Sequence, residues 1–196
     1  MKKKKICFIV STPYTAKAFL ENHFESLSQF YEIYLVANLS NKELVNYNHP
    51  KLTTVQHIQI ERKISFIKDV IALWETTKYL KKNQFDAVIC FTPKAGLIGI
   101  TASWLAGIKN RIHFFTGQVW HTKKGLFKMF LKLLDKIVVA FSTKIIVDGK
   151  PQQEYLIANK IITQHNSITL GKGTISGIDV TKFSPKPDLR LQIRNT

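Results

Sequence analysis

Short apolar runs that end in small polar loops, separated by stretches of helical periodicity, constrain this chain more than any other feature. Ile6–Val10, Glu32–Ala37, Thr54–Ile60, Ala87–Phe91, Arg111–Phe115, Thr143–Val147 and Ser167–Leu170 read as strands. Between them, Ala16–Phe30, Ser65–Lys82, Gly96–Ala106, Gly125–Phe141 and Pro151–Ala158 read as helices. Within Ser65–Lys82 the apolar residues Ile67, Val70, Ile71, Trp74 and Leu80 recur at helical spacing. Strands that alternate with helices predict a parallel, doubly wound α/β sheet. In such a sheet the loops at the carboxyl ends of the strands line the ligand crevice.

Three of those loops carry groups suited to a polar or phosphorylated ligand. The first strand runs into Ser11-Thr12-Pro13-Tyr14-Thr15 and then a helix. Hydroxyls and free amides at a helix start can bind phosphate, and Ser11 or Thr15 can equally serve as simple N-caps. The loop is neither a GxGxxG nor a Walker motif, so it gives no support to a nucleotide cradle. Thr92-Pro93-Lys94 sets a lysine just ahead of the next helix, where it can meet an anion or stay solvated. Thr116-Gly117-Gln118 combines a glycine that permits close backbone approach with an amide offering both donor and acceptor to sugar hydroxyls. A tight turn capped by Thr116 is the structural alternative. His113 lies within a strand, on the same side as Phe115, as a core histidine would. His121 follows the Gly-Gln loop and is freer to act as a base.

Charge narrows the partners. The chain of 196 residues holds 29 Lys+Arg against 13 Asp+Glu, a net charge of +16, and 45% of it is apolar. Such a chain can bury a core, and its surplus calls for a polyanion, a membrane surface or a phosphorylated ligand. Residues 101–150 hold nine basic and two acidic residues, +7 of the total, so an anionic partner should dock there. Within that segment Lys123, Lys124, Lys128, Lys132 and Lys136 interleave with Phe127, Met129, Phe130, Leu131, Leu133 and Leu134. A helix of that composition can lie in an anionic lipid interface while packing one stripe on the sheet. We expect Lys123, Lys124, Phe127, Lys128, Phe130 and Leu131 to face the membrane. No recognised DNA- or RNA-binding motif accompanies the basic residues, so nucleic acid is not an expected partner.

Cys7 and Cys90 both sit inside apolar runs, without metal-ligand spacing, and read as buried small hydrophobes in a reducing compartment. The apolar run after Lys2–Lys5 is too short for a signal-peptide core, and no stretch reaches about 18 uninterrupted apolar residues. We therefore expect a soluble or peripheral protein.

TPKAGLIG at Thr92–Gly99, RIHFFTGQVW at Arg111–Trp120 and LGKGTISGIDVTKFSP at Leu170–Pro185 resemble the N-terminal half of bacterial family-4 glycosyltransferases. The similarity is to the branch acting in capsule, O-antigen and glycan-lipid assembly. The Ser11–Phe19 loop and RKISFIKDVIAL at Arg62–Leu73 fit the same branch. The resemblance implies a Rossmann-like domain of a GT-B enzyme, in which two such domains face a cleft. It implies that residues 1–183 bind the acceptor, often a polyprenyl-diphosphate-linked sugar at the inner membrane leaflet. A C-terminal domain would bind a UDP-linked nucleotide-sugar donor, and transfer would proceed with retention and without metal.

On that resemblance Ser11, Thr12, Thr15, Thr92, Lys94, Thr116, Gly117 and Gln118 are the expected acceptor contacts. Thr15 and Lys94 would hold phosphate, and Gln118 would read sugar hydroxyls. Gly171, Gly173, Ser176 and Gly177 would form the interdomain hinge and cleft floor. Phe115 stands where many members carry a histidine, which leaves the acid–base role open between His113 and His121. Residues 184–196 read as a linker towards a donor domain that the chain does not contain, so the chain alone is expected to be inactive. A non-catalytic acceptor subunit of a split enzyme is the alternative, and a basic nucleic-acid-binding α/β protein a more distant one.

Overall fold

A computed structural model describes residues 3–39, 49–177, 180 and 184. Seven strands form one parallel sheet: β1 (Lys4–Ile9), β2 (Tyr31–Ala37), β3 (Thr54–His57), β4 (Ala87–Phe91), β5 (Asn110–Phe115), β6 (Lys144–Val147) and β7 (Ser167–Thr169). Their spatial order is β3-β2-β1-β4-β5-β6-β7, and every neighbouring pair is parallel. Among the described residues six helices cover the sheet: α1 (Pro13–Phe19), α2 (Glu21–Leu27), α3 (Phe66–Asn83), α4 (Pro93–Leu105), α5 (Gly125–Phe141) and α6 (Lys150–Ala158). The fold is the Rossmann-like doubly wound sheet expected from the sequence. The order reverses between β1 and β4, so the crevice opens at their carboxyl ends, where Ser11 and Thr92 stand.

Both faces of a parallel sheet must be covered, which is why the strands are continuously apolar rather than alternating. On one face Cys7, Ile9, Val88 and Cys90 pack with Ala72, Leu80, Ala95, Ile98, Ala102 and Val138 from α3, α4 and α5. On the other, Ile6, Phe8, Ile33, Leu35 and Phe91 pack with Ala16, Leu20 and Phe24. Phe8, Phe91 and Phe114 form a row across β1, β4 and β5, with centroids 6.1 and 5.3 Å apart. Cys7 and Cys90 are free, buried thiols whose burial raises their pKa values, so both act as packing residues.

Beyond shifts of one to three residues at several ends, element boundaries depart from the sequence reading in three places that matter. The single helix expected over Ala16–Phe30 is two, α1 and α2, parted at the fully buried Leu20. Leu20 keeps both ladders alive: its N–H donates to Ala16 and its carbonyl accepts from Phe24. Strand β3 ends at His57, whose Nδ1 accepts the Leu39 N–H at 3.0 Å. Helix α4 begins a turn early, at Pro93, so Lys94 lies inside its first turn. The expected linker over 184–196 falls outside the described residues, Ser184 apart, as do Ile178 and Asp179 of the Gly-rich block. No helix among the described residues is long and apolar enough to cross a membrane.

Candidate functional site

The crevice begins with a hydroxyl pair across the switch point. Ser11 Oγ and Thr92 Oγ1 are 2.7 Å apart, joining the ends of β1 and β4. Thr92 holds φ +68°, ψ +147°, a conformation costly for a β-branched residue, and strain of this kind clusters at ligand sites. Thr12 is the N-cap of α1 without a side-chain cap bond, so neither Ser11 nor Thr15 serves as the cap. Arg62 lies beside this pair, exposed, with no hydrogen bond or ion pair among the described residues. Two cavities meet at it. One, of about 470 Å³, is lined by Thr12, Pro13, Tyr14, Asn38 and Arg62. The other, of about 730 Å³, runs from Ser11, Arg62 and Thr92 along α4 between α3 and α5.

The second cavity follows from side-chain size. Helix α4 packs Ala95, Gly96, Gly99 and Ala102 against the sheet and so lies deep between two bulkier helices. Leu97, Thr101 and the buried Ile98 form a floor. Val70 and Leu73 of α3 make one wall; Phe130, Leu134 and Ile137 of α5 make the other. Trp120 closes the α5 side, fully buried, with its Nε1 donating to Asp135 Oδ2 at 2.7 Å. The Trp120 ring stacks on Tyr155, and Lys128 and Lys132 sit 5.7 and 5.3 Å from its centroid.

Several expected site residues stand in other roles. Lys94 is not a free cation: its Nζ donates to Asp69 Oδ2 at 2.5 Å and to the Lys63 carbonyl at 3.1 Å. An ion pair already formed leaves little positive charge for a phosphate, and Arg62 is the better candidate. Thr15 is buried, its hydroxyl 3.3 Å from that of Thr12, so it too is withdrawn from phosphate. His113 is sealed in the core at 1% exposure, edge-on to Phe115 and beneath Gly96. Burial pushes its pKa down to about 3, against a smaller opposing effect of a hydrogen bond to the Cys90 backbone. It holds a neutral ring in place and has no path to a substrate. Leu131, expected to face a membrane, is buried against Trp120 and Ile145.

The remaining assignments scatter along the crevice edge. Thr116 is exposed, and neither cavity is lined by Thr116, Gly117, Gln118 or His121. His121 is exposed, its Nδ1 2.8 Å from the Tyr155 hydroxyl on α6. Gly171, Gly173 and Gly177 take φ of +53°, +102° and +66°, and Ser176 donates to the Gly177 carbonyl at 3.4 Å. A Cβ on Gly173 would meet the Asp148 carbonyl at 2.7 Å, which fixes glycine there. Phe127 and Phe130 are about half exposed, and Lys123 and Lys124 are exposed.

Two residues escaped the sequence reading. Arg62 stands alone in a loop, recognisable only once the topology sets it over the switch point. Asp148 follows β6 and buries Oδ1 without a partner, as Gln118 buries Nε2. Their loops abut, since the Asp148 N–H donates to the Phe115 carbonyl at 3.3 Å. Among the described residues no three His, Cys, Asp or Glu are placed to hold a metal ion.

No protein-family model matches the chain. It is 28% identical over 153 residues to the capsular polysaccharide biosynthesis glycosyltransferase CapM of Staphylococcus aureus, covering 78% of this chain and 39% of that protein. It is 29% identical over 136 residues to the UDP-Gal:α-D-GlcNAc-diphosphoundecaprenol α-1,3-galactosyltransferase of Escherichia coli, covering 67% of this chain and 34% of that protein. The chain thus spans little more than a third of the length of these curated relatives. Among solved structures, a UDP-N-acetylglucosamine 2-epimerase of Rickettsia bellii matches with a TM-score of 0.65 at 16% identity, over 87% of this chain and 45% of that one. The lipopolysaccharide outer core galactosyltransferase WaaB matches with a TM-score of 0.59 at 15% identity, over 84% of this chain and 44% of that one. At those identities the structural matches speak for the fold alone. Taken with the curated relatives, they bear out the resemblance read from the sequence: the chain has the Rossmann-like fold of a GT-B domain and is similar to bacterial glycosyltransferases of capsule and glycan-lipid assembly.

Proposed function

We propose that this domain is the acceptor-binding half of a retaining glycosyltransferase. A sugar would pass from a UDP-linked donor, held by a C-terminal domain, to a polyprenyl-diphosphate-linked glycan at the cytoplasmic face of the inner membrane. The observation that carries the reading is Arg62. It is an unpaired guanidinium at the meeting point of two cavities, beside the Ser11–Thr92 hydroxyl pair and at the carboxyl ends of β1 and β4. Guanidinium and hydroxyl donors around one point suit phosphate oxygens. The loops after β5 and β6 bury Gln118 Nε2 and Asp148 Oδ1 without partners, so a sugar hydroxyl would reach them only with a shift of those loops. His121, oriented by Tyr155, remains the acid–base candidate, and the Gly171–Gly177 segment would give the hinge. The E. coli relative, whose acceptor is a diphosphoundecaprenol, supports the substrate class.

Co-sedimentation with anionic vesicles tests this. Adding a polyprenyl-diphosphate sugar to the vesicles should strengthen binding, and Arg62→Ala should remove most of that increment, about tenfold in affinity. A glycolipid that adds nothing would sink the acceptor reading.

A further inference from the structure

The groove above α4 has the shape and polarity of a slot for a chain attached to the phosphate held at its head. We propose that it takes the first isoprene units of a polyprenyl diphosphate, so that the domain grips lipid as well as sugar and phosphate; this rests on the acceptor reading above. The floor from Pro93 to Thr101 runs about 12 Å at the helical rise, enough for a few isoprene units. Its walls are mostly apolar side chains; the unpaired guanidinium of Arg62 and the hydroxyls of Ser11 and Thr92 stand at one end, and farther along only Thr101 and Asp135 are polar. The carboxylates along it are already engaged, Asp135 with Trp120 and Asp69 with Lys94, which leaves a sugar little to bond.

The mouth argues for a lipid rather than a protein occupant. Phe66 and Ile67 on α3 are 82% and 73% exposed; Leu126 and Met129 on α5 are 83% and 66%. These first turns flank the groove at its head end, since both helices start on the crevice side of the sheet. Lys63, Lys123 and Lys124 surround them, each exposed and without a side-chain acceptor among the described residues. An apolar slot ringed by unpaired cations complements a diphosphate and an anionic lipid surface. A second copy of a chain with net charge +16 would bring two basic rims together and be repelled. A further protein helix would cover the walls and make no use of Arg62.

Trp120 in the groove wall reports occupancy. In a Trp74→Phe, Trp104→Phe background it is the remaining indole. Farnesyl diphosphate should shift its emission and bind at least about tenfold more tightly than inorganic pyrophosphate. Thr101→Phe, which fills the floor, and Val70→Asp, which charges an exposed wall position, should each cut that advantage to below about threefold. Equal affinity for the two probes, or an advantage that survives both substitutions, would overturn the slot while leaving the head-group assignment standing. Failure of both probes to bind would overturn the assignment to Arg62 and the slot with it. Groove occupancy by a protein segment would show as no response to farnesyl diphosphate while pyrophosphate still binds.

Discussion

Asp135 shows what a single residue can hide. In the sequence it is one acid in a lysine-rich helix and reads as part of a solvated face. In the fold it is 9% exposed and accepts the Trp120 indole N–H at 2.7 Å. Burial pushes its pKa up to about 6, with the indole bond pulling the other way. The folded state therefore binds the proton more tightly than an unfolded chain does, so the stability it contributes is complete below about pH 4 and is lost as the pH rises through about 6. Asp135→Asn keeps an acceptor for the indole and removes the ionisation. It should raise stability near pH 8 by something on the order of 2 kcal/mol and give no gain near pH 4. Thermal melts of both proteins across that range decide it, and equal differences at the two ends would contradict it. His113 works with the opposite sign, its neutral buried ring losing stability as the pH falls below about 6.5. It does so equally in both proteins, so the difference between them isolates Asp135. Arg62 and Asp148 were hidden for a related reason: their significance lies in which strand ends are neighbours, which local pattern does not record.

At the level of elements, the strands were legible because a parallel sheet covered on both faces needs unbroken apolar runs. Helix faces were less so. The periodic stripe Ile67, Val70, Ile71 and Trp74 identifies α3 as a helix, but all four residues are at least half exposed, and Ala72, Thr76 and Leu80 turn inward. Period fixes the helix; packing against α4 chooses the face. The start of α4 was missed because Thr92 reaches it through a positive φ that no β-branched residue advertises. The depth of α4 rests on Gly96, where a Cβ would come within 2.7 Å of His113 Nδ1. Gly96→Ala should cost about 1–3 kcal/mol through overpacking, despite the better helix propensity of alanine. In a His113→Ala background that penalty should shrink to near zero or reverse, because the clash partner is gone. Urea titrations of the four proteins in this cycle give the coupling. Additive effects would show that the ring and the helix do not bear on each other.

On the scale of the whole molecule, charge and apolar exposure converge on one end. Leu126, Phe127, Met129 and Phe130 project from the first turns of α5, beside Lys123 and Lys124, and Phe66 and Ile67 project from α3. The sequence announced this surface through its interleaved lysines and aromatics, although it wrongly included Leu131, since composition cannot say which apolar residues the sheet will claim. If the end seats on a bilayer, the two kinds of group should separate under salt. Each lysine near an anionic surface is worth about 1 kcal/mol, so Lys123→Ala with Lys124→Ala should weaken vesicle partitioning by roughly 30-fold at low ionic strength. Near 1 M salt the Debye length falls to about 3 Å and the difference should all but vanish, while the apolar part of the binding persists. Partitioning measured against ionic strength for the two proteins reads both effects at once. Identical curves would mean that these lysines do not meet the membrane, and that the positive charge of residues 101–150 answers to the diphosphate alone.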